Sequence, residues 1–302
     1  MDEQIQKRYG AIKSMTDRCG IAIQDICFIA GGRTNEAYTI YGTNHKKYIA
    51  RIAGEGTEKI INRPRELHNI REAARVNIAP KVYCAENGNL LIEFLDGISK
   101  KDITMLENAE TLDKVTTQLR NLHTSGAEFQ GRFSFLNDYN VYRADYFTVA
   151  SEAPAELAQV EEEIVALITR MEEKYAGANA PLHGDTALQN FMICKDRAYL
   201  IDWEYSSSGD YYLDLANFVI LNDLTPELEK SFLCSYEDKM QGKLDYGKFL
   251  LFKMAVSFMW VYWHLGRLVR NIQIDYNESH WKKCLNKAIA IKEQWQTLGY
   301  SL

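Results

Sequence analysis

The chain has 302 residues, 46% of them hydrophobic and 25% charged, with a net charge of −6 at pH 7. That length supplies a sizeable core and about two lobes or domains, and the mildly acidic balance argues against nucleic acid or an anionic membrane surface as a partner. The six cysteines (Cys19, Cys27, Cys84, Cys194, Cys234 and Cys284) are scattered without a C-x-x-C pair; they read as thiols of a reducing cytoplasm, not as a disulfide or zinc framework.

The first residues, MDEQIQKRYG, lack the apolar core of a secretory signal. Residues 1–20 read as a helix ending near Gly20, and Ile21–Ile29 as a strand. Gly31-Gly32-Arg33-Thr34-Asn35 then leads into a second strand near Tyr38–Tyr41. Paired glycines let backbone N–H groups approach phosphates closely, although a lone Gly-Gly is usually no more than a turn. Lys46–Ile52 reads as the next strand, with Arg51 near its end, either as a phosphate-side cation or as a solvated terminus. Pro64–Val76 is rich in Glu, Arg and Ala and carries its proline near the start, as a helix tolerates. Glu66 lies in its first turn and Glu72 on another face. Ala79–Tyr83 and Leu90–Leu95 read as strands, and Asp96-Gly97 closes the second; the boundary between residues 1–95 and 96–302 is placed there.

Asn108–Thr124 has Leu112, Val115, Leu119 and Leu122 at helical spacing and stops before Gly126. His123, at its end, reads as a structural residue. A tyrosine-rich stretch, Asp138–Ala150, is followed by one charged helix over Pro154–Tyr175.

Pro181–Glu204 carries the chemistry. His183-Gly184-Asp185 is followed by Asn190, five residues after the aspartate; then come an apolar strand Phe191–Cys194, a polar turn Lys195-Asp196-Arg197, and a second apolar run Ala198–Ile201 ending on Asp202. Phosphoryl transfer asks a protein for positioning, a metal and one base. Asp185 suits the acceptance of a hydroxyl proton. Asn190 and Asp202 approach one metal from the two ends of the hairpin, and Mg²⁺ prefers oxygen ligands and takes few from protein. HGD alone is weak, since Asp and Asn are common turn residues; the whole constellation is far more specific.

After Glu204, Tyr205–Asp210 is a polar loop and Asp214 opens an apolar helix. Leu250–Arg270 is a long helix bearing Phe258, Trp260, Tyr262, Trp263 and His264. Its most apolar run, Phe249–Leu265, is short of the roughly twenty residues of a spanning helix and contains Lys253 and His264. Trp260 and Trp263 are i, i+3 and share a face. Such a stripe is either core or a cage for a quaternary ammonium, which lacks N–H donors and is recognised by ring faces.

These motifs resemble those of the choline/ethanolamine kinase family, bacterial choline kinases in particular, within the aminoglycoside phosphotransferase superfamily. The resemblance extends from Gly31 to about Tyr276. It implies an α+β, bilobal, protein-kinase-like fold with a small N-terminal nucleotide-binding lobe, made of an antiparallel sheet and one helix, and a larger, mainly helical C-terminal lobe. It further implies an ATP- and Mg²⁺-dependent, cytoplasmic kinase that converts choline to phosphocholine. Asp185, Asn190 and Asp202 are then catalytic, with Asn190 and Asp202 on the metal and Asp185 also touching substrate. Gly31, Gly32, Thr34, Asn35, Arg51 (paired with Glu66), Glu93 and Leu95 serve the nucleotide, the last two through main-chain groups. Trp260, Trp263 and Tyr276 form the substrate cage, and Asp214 braces the catalytic loop. The acidic substrate partner of eukaryotic relatives has no match at the same spacing, Asp223 being the nearest acid. Ethanolamine or an aminoglycoside is the alternative substrate, and a non-catalytic nucleotide-binding scaffold is the alternative of another class.

Overall fold

The structure, a computed structural model, describes residues 3–29, 35–54, 57, 61–271 and 278–302. In chain order the first elements are helix α1 (Glu3–Arg18), strands β1 (Ile23–Ile29), β2 (Asn35–Gly42) and β3 (Lys47–Ala53), and helix α2 (Arg63–Arg75). Strands β4 (Val82–Glu86), β5 (Asn89–Glu93) and β6 (Gly97–Ile98) and helix α3 (Ala109–His123) follow. Next are helices α4 (Phe135–Phe147), α5 (Ala155–Ala158) and α6 (Glu161–Lys174), then β7 (Ala180–Leu182), β8 (Phe191–Cys194), β9 (Ala198–Leu200) and β10 (Ser207–Gly209). Among the described residues, helices α7 (Tyr212–Leu221), α8 (Pro226–Met240), α9 (Tyr246–Val269) and α10 (Glu278–Thr297) follow. They divide into two compact units, Met1–Gly131 with His183–Ser207, and Arg132–Leu182 with Ser208–Leu302.

The first unit is built on a five-stranded antiparallel sheet, ordered β1-β2-β3-β5-β4. Ile12 and Met15 of α1, three apart and so on one helix face, pack with Ile21, Ile40, Tyr48, Ala50, Ile52, Cys84 and Leu91 into one core. Side chains alternate across a strand. Because Tyr48, Ala50 and Ile52 of β3 point into that core, Arg51 is sent to the other face. There α2 presents a buried stripe of Glu66, Asn69, Ile70 and Ala73, the i, i+3, i+4, i+7 spacing of an inward helix face. Asn62 caps α2 by accepting a hydrogen bond from the Arg65 amide at 3.1 Å. The same unit holds the hairpin β8–β9, in register Phe191↔Leu200, Met192↔Tyr199 and Ile193↔Ala198, so that β9 delivers Asp202 two residues past its end.

The second unit is helical around α9, of which Phe249–Phe252, Met254–Met259 and Val261–Tyr262 are buried. This helix, Tyr246–Val269, is long and apolar enough to cross a membrane by length and composition, but 78% of its most apolar window is buried inside the protein. It is a core helix. The tyrosine-rich stretch is helix α4, capped by Ser134 accepting from the Asn137 amide at 3.1 Å. The single helix expected over Pro154–Tyr175 is instead two, α5 and α6, broken at Gln159 and Val160. The break puts Glu161, Glu162 and Glu163 in the first turn of α6, where the helix dipole favours acids, and lets Glu161 accept from the hydroxyls of Tyr139 and Tyr262.

Candidate active site

The first unit assembles a polar cluster from residues far apart in sequence. Arg51 pairs through Nη2 with Glu66 Oε1, and its Nη1 lies 3.3 Å from Asp202 Oδ1. Glu66 is almost wholly buried, with 2% of its side chain exposed, and its other oxygen accepts from Arg63 Nη1 at 2.9 Å. One buried carboxylate thus meets two guanidinium groups, the arrangement a buried charge requires. Glu72, the other acid of α2, is paired with Arg75 at 2.8 Å on the surface, so Glu66 is the partner of Arg51. Arg63 also donates to Thr57 Oγ1 at 2.8 Å, and Thr57 in turn to the Gly54 carbonyl at 2.7 Å. That chain ties Gly54 and Thr57 to α2.

The loop from His183 to Asn190 is held by buried contacts. His183 is fully buried; its Nε2 is 2.9 Å from the Ile201 carbonyl and its ring packs on Trp203 at 4.7 Å. Gly184 has φ +81°, and a Cβ there would collide with the Tyr205 carbonyl oxygen; glycine is the residue that fits. Asn190 donates through Nδ2 to the Asp185 carbonyl and to Asp185 Oδ2, both at 2.9 Å. Facing a carboxylate fixes the amide orientation, so the Asn190 side-chain oxygen is the group it offers elsewhere. The Ile201 amide donates to the Asn190 carbonyl at 2.9 Å, which ties the loop to the strand that carries Asp202.

Asp202 sits at φ +66°, a left-handed conformation rare outside glycine but tolerated by Asp. Desolvation raises its carboxyl above the ordinary range; the Asp185 and Glu66 charges add to this and Arg51 opposes it. Two carboxylates sharing a partly desolvated site favour a cation beside them. The oxygens of Asp202 and Asn190 are hard ligands and few, as Mg²⁺ requires. The residues present fit that ion.

Two asparagines hold these elements together: Asn35, which the resemblance assigns to the nucleotide, and Asn69, which carried no signal in the sequence. Asn35, at the start of β2, donates to Glu204 Oε2 at 3.1 Å, fastening β2 to the residue two past Asp202. Asn69 donates to the Ser206 carbonyl, to Ser206 Oγ and to the Gln130 carbonyl, each at 3.1 Å, and accepts from the Gln130 amide at 2.8 Å. It staples α2 to the segment beyond Asp202. Glu93 ends β5, its amide donating to the Lys81 carbonyl at 2.9 Å, and Leu95 is half-buried in the link that follows. Gly31, Gly32, Thr34 and Tyr276 lie outside the described residues.

In the second unit Trp260, Trp263, His264 and Arg267 are half-buried on an otherwise buried stretch of α9. Their i, i+3, i+4, i+7 spacing makes them one face. Tyr142 of α4 stacks on Trp260 at 6.3 Å, and Trp263 stands at 87° to Trp260 at 5.2 Å. The Trp260 indole N–H is buried without a hydrogen-bond partner among the described residues, and native indoles usually find one. Phe258 and Tyr262, by contrast, are core. Asp223 is bound by Lys283 Nζ at 2.8 Å and by Lys287, and these ammonium groups hold its carboxyl down at about 2. Its charge is already matched, which removes it as the anionic partner of a cationic substrate.

A family model described as choline/ethanolamine kinase matches residues 26–239. The chain belongs to the choline/ethanolamine kinase family. Among its relatives, the LicA homolog of Metamycoplasma hominis is 26% identical over 188 residues, 62% of this chain and 71% of that protein. The crystal structure of the choline kinase LicA from Streptococcus pneumoniae superposes with a TM-score of 0.74 at 25% identity, covering 93% of this chain and 99% of that one. A structure of LicA in complex with AMP gives a TM-score of 0.72 at 25% identity, covering 95% and 98%. Membership in this family makes the chain a small-molecule kinase with a protein-kinase-like α+β fold.

Proposed function

We propose that the chain is an ATP- and Mg²⁺-dependent choline kinase that forms phosphocholine and ADP. The observation that carries the kinase reading is the continuous linkage Glu66–Arg51–Asp202 together with Asn190 donating to Asp185. It supplies a cation beside the metal-site carboxylate and a base held by hydrogen bonds.

Asp185 accepts the hydroxyl proton as the substrate oxygen bonds to the γ-phosphorus and the bridging P–O bond to ADP breaks. The Asn190 hydrogen bonds keep the Asp185 carboxylate aimed, and pairing with Glu66 keeps Arg51 extended toward the phosphates. Asn190 and Asp202 are the residues that would hold Mg²⁺, which would supply neutralisation of phosphate charge in the transition state. The glycine-rich loop covers the phosphates, and main-chain groups around Glu93 to Leu95 take the adenine.

Choline is favoured over ethanolamine because the half-buried face of α9 offers ring surfaces. A quaternary ammonium is recognised by cation–π attraction, about 0.5–2 kcal/mol per contact, whereas a primary ammonium calls for carboxylates and carbonyls. The test is ADP release in a coupled assay with choline, ethanolamine and kanamycin side by side, with Asp185→Ala as control. Turnover with choline and a loss of about 10²- to 10⁴-fold in the variant are expected. Near-normal turnover of the variant would sink the assignment of Asp185, and a preference for ethanolamine would sink the choline reading.

A further inference from the structure

The ring that a quaternary ammonium needs already has a cation on it. The Arg267 guanidinium carbon lies 4.2 Å from the centroid of Trp263, well inside cation–π range. The two residues are i, i+4 on α9, so the helix itself brings them together. Trp260 and His264 stand nearly perpendicular to Trp263, at 87° and 82° with centroids 5.2 and 5.0 Å away. Arg267 thus lies over the ring, and the other aromatic groups frame it. Asp145, the acid at the neighbouring end of α4, is engaged by Arg270, whose Nη1 is 2.9 Å from Asp145 Oδ2 and whose Nη2 is 2.8 Å from Thr148 Oγ1.

We propose that Arg267 is a specificity-determining residue that competes with the substrate's ammonium group for the face of Trp263. The inference rests on the choline reading and deepens it. A substrate cation must displace the guanidinium from the ring or accept a like charge close by, and both weaken its binding without touching the phosphoryl-transfer step. Arg267 therefore raises the KM for small quaternary ammonium alcohols and leaves kcat alone. It is not a catalytic residue. It acts through the ring it covers, and its long side chain can leave the ring while its stem stays packed on the helix.

The experiment compares the full chain with Arg267→Met and Arg267→Gln, which remove the charge, and Arg267→Lys, which keeps it. Two quantities are read: choline KM and kcat by ADP release, and the dissociation constant of tetramethylammonium chloride by quenching of tryptophan fluorescence without nucleotide. Both neutral variants are expected to lower the choline KM and the tetramethylammonium constant by about three- to thirtyfold, with kcat within about twofold and the lysine variant close to wild type. Two neutral replacements of different shape guard against a packing defect in either. Unchanged or weaker binding in the neutral variants overturns the proposal, as does a lysine variant that behaves like them. If tetramethylammonium tightens while choline is never phosphorylated, the choline reading fails and the competition at Trp263 stands. If choline is turned over and neither constant moves, the competition fails and the choline reading stands.

Discussion

Arg51 and Asp202, 151 residues apart, are joined by a 3.3 Å contact between Nη1 and Oδ1. The same guanidinium is held on its other nitrogen by Glu66. A strand, a helix and the end of the β8–β9 hairpin are therefore coupled through one cation. The two carboxylates respond differently to its loss, because Glu66 keeps a second partner in Arg63 at 2.9 Å.

Arg51→Ala is thus expected to cost about 1.5–3 kcal/mol of stability, the range for hydrogen bonds to charged groups. Glu66→Ala removes the carboxylate that two buried guanidinium groups share, leaving Arg51 with Asp202 and Arg63 with Thr57, and is expected to cost about 3–5 kcal/mol. Urea unfolding of both variants checks the order. Equal losses would show that Arg63 does not hold Glu66 in the absence of Arg51.

Asn190→Asp replaces the donor to Asp185 by a fourth carboxylate in the cluster, beside those of Asp185, Asp202 and Glu66. Turnover is expected to fall by at least about tenfold, the cost of an uncompensated like charge of order 1.4 kcal/mol, and to recover in part as free Mg²⁺ is raised. Kinetics over a Mg²⁺ series tests this; an activity independent of both charge and Mg²⁺ would remove Asn190 from the metal site.

At Gly184 the positive φ and the Tyr205 carbonyl together forbid a side chain. Gly184→Ala is expected to lose about 2–4 kcal/mol through strain and displacement of the segment after Asp202, with turnover falling in parallel. Thermal unfolding and the coupled assay measure both, and a stable, active variant would contradict the close approach.

Asp223 predicts a pH effect. Its folded value, about 2, lies below the ordinary 3.8 because Lys283 and Lys287 donate to it. A depressed carboxylate contributes stability above pH 3.8 that is lost as pH falls through that window toward 2. With 56% of its side chain exposed, the contribution is screened and stays below about 1 kcal/mol. Asp223→Asn should flatten the acid limb of the stability curve by that small amount and leave the choline KM unchanged. A large rise in KM would restore Asp223 as a substrate contact.

The hairpin from Asn190 to Asp202 was legible because strand, polar turn and strand are local and their hydrophobic period is short. So were the helix carrying Glu66 and the face shared by Trp260 and Trp263, since helical spacing alone places residues three and four apart together. The break at Gln159–Val160 was not legible. It depends on Glu161 finding Tyr139 and Tyr262, and Tyr262 lies 101 residues away.

What the sequence offered by itself were the candidates for the site: Asp185, Asn190 and Asp202 on one loop and short hairpin and a stripe of rings on one helix face, all set by short-range spacing, with Arg51 and Glu66 added by the resemblance. Only the tertiary structure decided the pairings. It joined Arg51 to Glu66, the partner the resemblance implies, and to Asp202, turned Asn35 toward Glu204, made Asn69 a staple, neutralised Asp223 with lysines and laid Arg267 over Trp263. Most of these choices depend on which buried charges and amides are left needing partners once the sheet and helices have packed. That demand is set by desolvation in the folded protein and leaves no period in the chain.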